Sequence, residues 1–322
     1  MKLFIFGSTG DLVKRKIVPA FVALNIKDLE IIALGRKDFT DKMYQDFVCD
    51  DDCFKNFDSK PKYQKIEFGD EIVCEKCDQF LVSGEEHYFY SALPPKQLKN
   101  LISYVGGIKR GGFNVKILIE KPFGDSLVSA IELKSLIGKL DLAEDLFISD
   151  HYLYKKEIVA LSPQSFEKIK IVSLESVGLE KRAGYYDEIG AVKDMIQSHF
   201  LNVVYKINSG QSLLLGGFKV NNVVLGQYGN GLDLGYVREL GRASQTETFA
   251  QISFSAGGKD FEFITGKRFD KKVGFVDIDG KRVYFGGNGR DYEDMFLDFF
   301  AKKYDRFCTI EQSIAGWEIT EK

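Results

Sequence analysis

The chain holds three histidines, and two of them, His151 and His199, lie in polar, aromatic-rich stretches rather than on plain apolar faces. An imidazole titrates near neutral pH, which suits it to take a hydroxyl proton as an alcohol is oxidised. A lone histidine is more often structural, so an orienting carboxylate is needed. Asp194 precedes His199 by five residues, which on an α-helix places the two about 140° apart. A carboxylate from another segment, such as Asp150, is therefore better placed. His151, Tyr152 and Lys155 follow Asp150 directly and combine several donors with positive charge, a set that suits a phosphate. The same cluster also reads as a plain domain-boundary turn.

A second constellation opens the chain. Gly7-Ser8-Thr9-Gly10-Asp11-Leu12 stands between an apolar run and an amphipathic helical pattern, where backbone N–H groups and a helix dipole attract a pyrophosphate. Its G-x-x-G spacing lacks the third glycine of G-x-G-x-x-G, so context carries the reading. The next apolar run ends in Gly35-Arg36-Lys37, where a site preferring NAD presents an acidic side chain to the ribose 2′-OH. A guanidinium and an ammonium there suit a 2′-phosphate, which favours NADP over NAD. A solvated basic turn is the bland alternative.

Cys49 and Cys53, with Cys74 and Cys77, offer two close pairs of thiolates for a tetrahedral zinc. At i,i+4, Cys49 and Cys53 equally suit a buried helical face that needs no metal. Five cysteines, odd in number and without framework spacing, fit reduced thiols in a cytoplasmic protein. No metal site is expected.

Elements must position these groups. The first forty residues read as a βαβ unit, with an apolar run over 3–6, the glycine turn, a helix over 11–24 and a second run over 31–34. A parallel sheet follows from that pattern. A polar helical stretch (41–57), a strand-like run (88–93), a helix (96–104) and an apolar run (115–119) continue the alternation to about residue 150. Beyond it the texture is β-rich, over 168–177, 246–255, 261–265, 273–277 and 282–285, with helices over 189–207 and 291–304. Gly and Asn cluster over 216–235 as a long loop. The fold expected is an α/β Rossmann domain with a parallel sheet over residues 1–150, and an α+β domain with a largely antiparallel sheet over 151–322.

Composition narrows the partners. At 322 residues the chain is long enough for two cores, and 44% hydrophobic with 28% charged residues is ordinary for a globular protein. A net charge of −3 gives no basic excess for nucleic acid. Apolar runs fall short of the ~20 residues that span a bilayer, and the first residues lack a secretory apolar region. No nucleic acid and no membrane are expected as partners, and a cytoplasmic location is.

Taken together, the segments GSTGDLVKRKIVPA (7–20), FYSALPP (89–95), IEKPFGDSL (119–127), DHYLYK (150–155), RAGYYDEIGAVKDMIQSH (182–199), GQYG (226–229), TETFAQ (246–251) and TGK (265–267) resemble the glucose-6-phosphate dehydrogenase family. The order is that of the family and runs on to YEDMFLDF (292–299) and GWEI (316–319). The resemblance implies oxidation of D-glucose 6-phosphate at C1 to 6-phosphogluconolactone with NADP, in the pentose phosphate pathway. It makes His199 the general base and Asp150 the aspartate that orients it. His151, Tyr152 and Lys155 become the grip on the substrate phosphate, helped by Lys267 and Lys272. Glu175 and Asp194 hydrogen-bond sugar hydroxyls, and Lys121 touches substrate and cofactor beside Pro122. Gly7, Ser8, Thr9, Gly10, Asp11, Leu12, Val13, Lys14, Arg36, Ala92, Leu93 and Pro94 fall on the cofactor side. A homodimer through the C-terminal sheet is implied as well.

The chain departs from the family in being shorter, and in carrying Ile148, Tyr154 and Ile264 where the family has Arg, Gly and Arg. Tyr154 and Ile264 stand beside the expected phosphate grip, which keeps another sugar phosphate open as substrate. A non-catalytic NADP-binding sensor is the rival from a different class. Retention of His199, Asp150, Lys155 and Lys121 together argues against it.

Overall fold

Leu3, Phe4, Ile5 and Phe6 are all fully buried, as a strand covered on both faces requires. They belong to β1 (Lys2–Phe6) of a computed structural model that describes residues 1–49, 53–55, 57–69, 71–179, 183–211, 217–229, 235–286 and 289–321. In chain order follow β2 (Glu30–Gly35), β3 (Lys62–Lys65), a small hairpin of β4 (Glu67–Phe68) and β5 (Ile72–Val73), β6 (Glu86–Ser91), β7 (Asn114–Glu120) and β8 (Leu146–Ser149). Six of these make a parallel sheet in the order β3-β2-β1-β6-β7-β8. The direction of winding reverses between β1 and β6, the place where such sheets open a crevice at their carboxyl ends. Helices Leu98–Arg110 and Leu127–Lys139 are among the connections. Ser126 starts the latter as an N-cap, its side chain accepting from the Ser129 N–H.

The later half holds β9 (Lys168–Leu174), β10 (Phe218–Gly226), β11 (Phe249–Ala256), β12 (Lys259–Gly266), β13 (Val273–Ile278) and β14 (Lys281–Tyr284). Their order is β10-β11-β12-β9-β13-β14, antiparallel except for the parallel pair β9–β12. The fold class read from the sequence is thus the one observed. The loop expected over 216–235 is corrected: Phe218–Gly226 is a strand, paired along its length with β11. Residues 212–216 and 230–234 lie outside the described ones.

By contacts the chain divides into two compact units, Met1–His151 with Arg290–Ile310, and Tyr152–Gly289 with Glu311–Lys322. A second domain over all of 151–322 therefore does not hold for residues 290–310. The helix Asp291–Phe300 explains why, since its apolar face belongs to the first core. Phe296 lies 4.4 Å from Phe21 and 5.1 Å from Tyr90, ring to ring, and Phe299 and Phe300 both meet Tyr88 edge-on.

The cysteine expectation is also corrected. Cys49 is bonded to Cys53 and Cys74 to Cys77, with Cα–Cα separations of 6.1 and 5.5 Å that fit disulfides. Each cysteine of the two pairs thus lies against its near neighbour in sequence, where the sequence reading expected separate reduced thiols. Cys308 is free and buried. Among the described residues no helix is long and apolar enough to cross a membrane.

Candidate active site

In the first unit the sequence-singled residues sit where the parallel strands end. Gly7 follows β1, Arg36 and Lys37 follow β2, Ala92-Leu93-Pro94 follow β6, Lys121 follows β7, and Asp150 and His151 follow β8. Gly7 has φ +74, and a side chain there would meet the Ala92 carbonyl oxygen at 2.8 Å. Only glycine lets the turn lie this close to the β6 loop, whose Ala92 N–H bonds the Phe6 carbonyl at 3.0 Å. Helical turns run on over residues 11–24, π-wound over Val13–Ile17. Ser8 is fully buried and its hydroxyl has no hydrogen-bond partner among the described residues. A buried orphan donor in a glycine turn at the sheet's switch point fits a bound dinucleotide phosphate.

The basic pair after β2 is exposed. Lys37 holds its ammonium 4.2 Å from the Phe47 ring centre and 5.4 Å from that of Phe39, and Lys14 approaches Phe47 from 5.5 Å. Cations lined up over aromatic faces at the end of β2 suit an anionic, ring-bearing ligand.

Sequence reasoning missed one group here. Tyr90 on β6 donates a 2.6 Å hydrogen bond to Glu120, the last residue of β7. Register pairs Glu120 with Ser149, one residue ahead of Asp150. Burial pushes the Glu120 carboxyl up to about 7, with the Asp150 charge adding to it, against Tyr90, Lys121 and Ser149, which favour the ionised form. The only signal in the sequence is a charged residue closing an otherwise apolar run. Lys121-Pro122, next in the chain, is a cis peptide. His151 stacks on Tyr292 at 5.6 Å within the same unit. His87, the third histidine, is structural: its Nε2 accepts the Val82 N–H at 3.0 Å, and burial lowers its pKa.

The second unit holds further residues singled out in the sequence. Tyr152 stacks on His199 with ring centres 4.1 Å apart, and the Lys155 ammonium lies 4.8 Å from the Tyr152 ring centre. His199 is buried. The Tyr152 hydroxyl shares a 3.1 Å hydrogen bond with Ser173 on β9. One step further along the β9–β12 pair, Glu175 donates its N–H to the Gly266 carbonyl at 2.9 Å. This brings Glu175 to Lys267, whose ammonium bonds the Glu175 carboxylate and lies 3.5 Å from Asp194 Oδ2. Lys267 is itself buried. Five candidates from the sequence, Tyr152, Lys155, His199, Glu175 and Asp194, thus share one unit with Lys267. Lys272, by contrast, is exposed just ahead of β13.

The helical-angle argument about Asp194 needs correcting. Residues Val192–Phe200 form a π-helix, with the Leu201 N–H reaching back to the Ile196 carbonyl. Where bonds run i→i+5, residues five apart approach one face, so winding does not separate Asp194 from His199. Asp194 is drawn instead to the Lys267 ammonium.

Residues 4–160 match the family model described as "Glucose-6-phosphate dehydrogenase, NAD binding domain", and residues 160–209 that described as "Glucose-6-phosphate dehydrogenase, C-terminal domain". The chain is 28% identical over 343 residues to the glucose-6-phosphate 1-dehydrogenase of Rhizobium meliloti, covering 87% of this chain and 70% of that protein. It is 29% identical over 347 residues to that of Dictyostelium discoideum, covering 88% and 69%. A solved structure described as glucose-6-phosphate dehydrogenase in complex with its substrate glucose-6-phosphate aligns with a TM-score of 0.76 over 99% of this chain and 90% of its own. Its sequence identity is 20%, so the likeness is one of fold. With the two family models together matching residues 4–209, the chain belongs to the glucose-6-phosphate dehydrogenase family and is an oxidoreductase with a nicotinamide-dinucleotide domain.

Proposed function

We propose that the protein oxidises D-glucose 6-phosphate at C1 to 6-phosphogluconolactone, the oxidative entry to the pentose phosphate pathway, using NADP in preference to NAD. The single observation that carries the reading is the grouping in one unit of a buried histidine stacked on Tyr152 with the Lys267–Glu175–Asp194 ion cluster. His199 removes the C1 hydroxyl proton. Asp150 is the carboxylate assigned to orient its imidazole, and the Tyr152 ring fixes the imidazole plane. Lys155, Tyr152, His151 and Lys267 hold the phosphate, with Lys272 at the exposed margin. Glu175 and Asp194 accept from sugar hydroxyls, and Lys121 reaches substrate and cofactor alike.

The dinucleotide, when bound, supplies the ring that accepts hydride. Ser8 and the backbone of residues 7–12 hold its pyrophosphate, and Ala92-Leu93-Pro94 flank it. Arg36 and Lys37 favour a 2′-phosphate by charge, which supports NADP. A homodimer belongs to the same proposal. The edge strand β10 supports it by leaving Val220, Val223, Val224 and Leu225 at 42–53% exposure.

Reduction of NADP in the presence of glucose 6-phosphate tests the reading directly. His199→Asn should lower kcat by about 10²–10⁴-fold while NADP binding stays as in the wild type. An active His199→Asn enzyme would overturn the assignment of the base. A wild type that prefers another hexose phosphate over glucose 6-phosphate would redirect the substrate.

A further inference from the structure

Tyr186 closes the short helix Ala183–Tyr186 and is 4% exposed. Its hydroxyl has no hydrogen-bond partner among the described residues. The ring is no bystander, because the Lys267 ammonium lies 5.6 Å from its centre, and that ammonium is the one shared by Glu175 and Asp194. The phenol thus stands against the cluster proposed to hold the sugar.

The hydroxyl is a donor waiting for an acceptor. Burial, and then the charges of Asp194, Glu247 and Glu175, drive its ionisation far above neutral pH, so it keeps its proton. Its neighbours are otherwise engaged. Glu247 accepts from the Val192 N–H at 2.9 Å. Tyr236 donates to Asp187 at 2.7 Å, and Glu175 is bonded to Lys267. Buried polar groups in folded proteins nearly always have partners, and a buried hydroxyl without one is costly. An acceptor that arrives with the ligand removes that cost.

We propose that Tyr186 is a specificity residue whose hydroxyl donates to one hydroxyl of the sugar held by Glu175 and Asp194. The inference rests on the sugar-phosphate reading above. It predicts selectivity of a particular kind, since a site that hydrogen-bonds a substrate hydroxyl rejects the analogue that lacks it.

Tyr186→Phe removes one oxygen and keeps the ring over Lys267. Wild type and variant are assayed with glucose 6-phosphate and with its 2-, 3- and 4-deoxy analogues, and both are melted. The expected result is a rise of about tenfold in KM for glucose 6-phosphate in the variant, with KM for NADP unchanged. One deoxy analogue should be discriminated by the wild type and no longer by Tyr186→Phe. The melting temperature should hold or rise, because the lost hydroxyl has no partner among the described residues. An active wild type with equal deoxy-sugar discrimination in Tyr186→Phe overturns the proposal by itself. So does a fall in melting temperature without a change in KM, which marks a structural hydroxyl. A wild type inactive on every hexose 6-phosphate overturns the functional reading and this proposal with it.

Discussion

Glu120 shows how little a residue's type says about its state. Its folded-state value near 7 stands above the ordinary 4.5 because burial disfavours the anion. The preference for the uncharged form stabilises the folded protein fully below the unfolded carboxylate range, and that stabilisation is lost as pH rises through about 7. Gln at this position stays neutral throughout. The gap in melting temperature between Glu120→Gln and wild type should therefore widen in favour of the variant from about pH 5 to about pH 8. A gap that stays constant with pH would show that Glu120 ionises normally. The residue was visible in the sequence as the end of an apolar run, but its pairing with Tyr90, thirty positions earlier, was not.

At the scale of elements, the helix Asp291–Phe300 is the one whose allegiance changed. Its periodic apolar residues announced a helix, and nothing in the period says which core receives them. Phe296 is fully buried between Phe21 and Tyr90, and its removal leaves a cavity in the first unit. Phe296→Ala should cost about 3–5 kcal/mol of stability, read as a lower denaturant midpoint. Unchanged stability would mean that the helix does not belong to that core. The segment Val192–Phe200 teaches a related lesson. Its sequence reads as helix, yet π-winding alters which residues share a face, and with it the argument about Asp194 and His199. Strand β10 was hidden for another reason. Its Asn-containing run lacks clean alternation, and it becomes a strand through pairing with β11, with a register shift between Val220 and Asn222.

For the molecule as a whole, the exposed edge of the second sheet is the feature that bears on assembly. An edge strand with four large apolar side chains at the surface is where the proposed homodimer would form. Sedimentation should find a dimer for the wild type and a monomer for Val223→Asp, whose side chain is about half exposed. A monomeric wild type would remove the homodimer from the proposal. The relatives from Rhizobium meliloti and Dictyostelium discoideum are matched over 70% and 69% of their length, so the comparison with them concerns that share.

The sequence by itself determined the parallel first half, the β-rich second half, the glycine turn and the segments that mark the family, because these are local patterns of period and residue type. It also placed the glycine turn and Arg36-Lys37 where apolar runs stop, whereas Lys121 and Ala92-Leu93-Pro94 came from the family resemblance. Only the tertiary structure decided that Lys267 is neutralised by Glu175, 92 residues away, and by Asp194. The same holds for the Tyr186 hydroxyl left without a partner among the described residues, for residues 290–310 joining the first unit, and for the paired cysteines. The reason is common to all of them. Burial, charge pairing and bond formation depend on what lies across from a residue in space, and the chain's own order does not specify that neighbour.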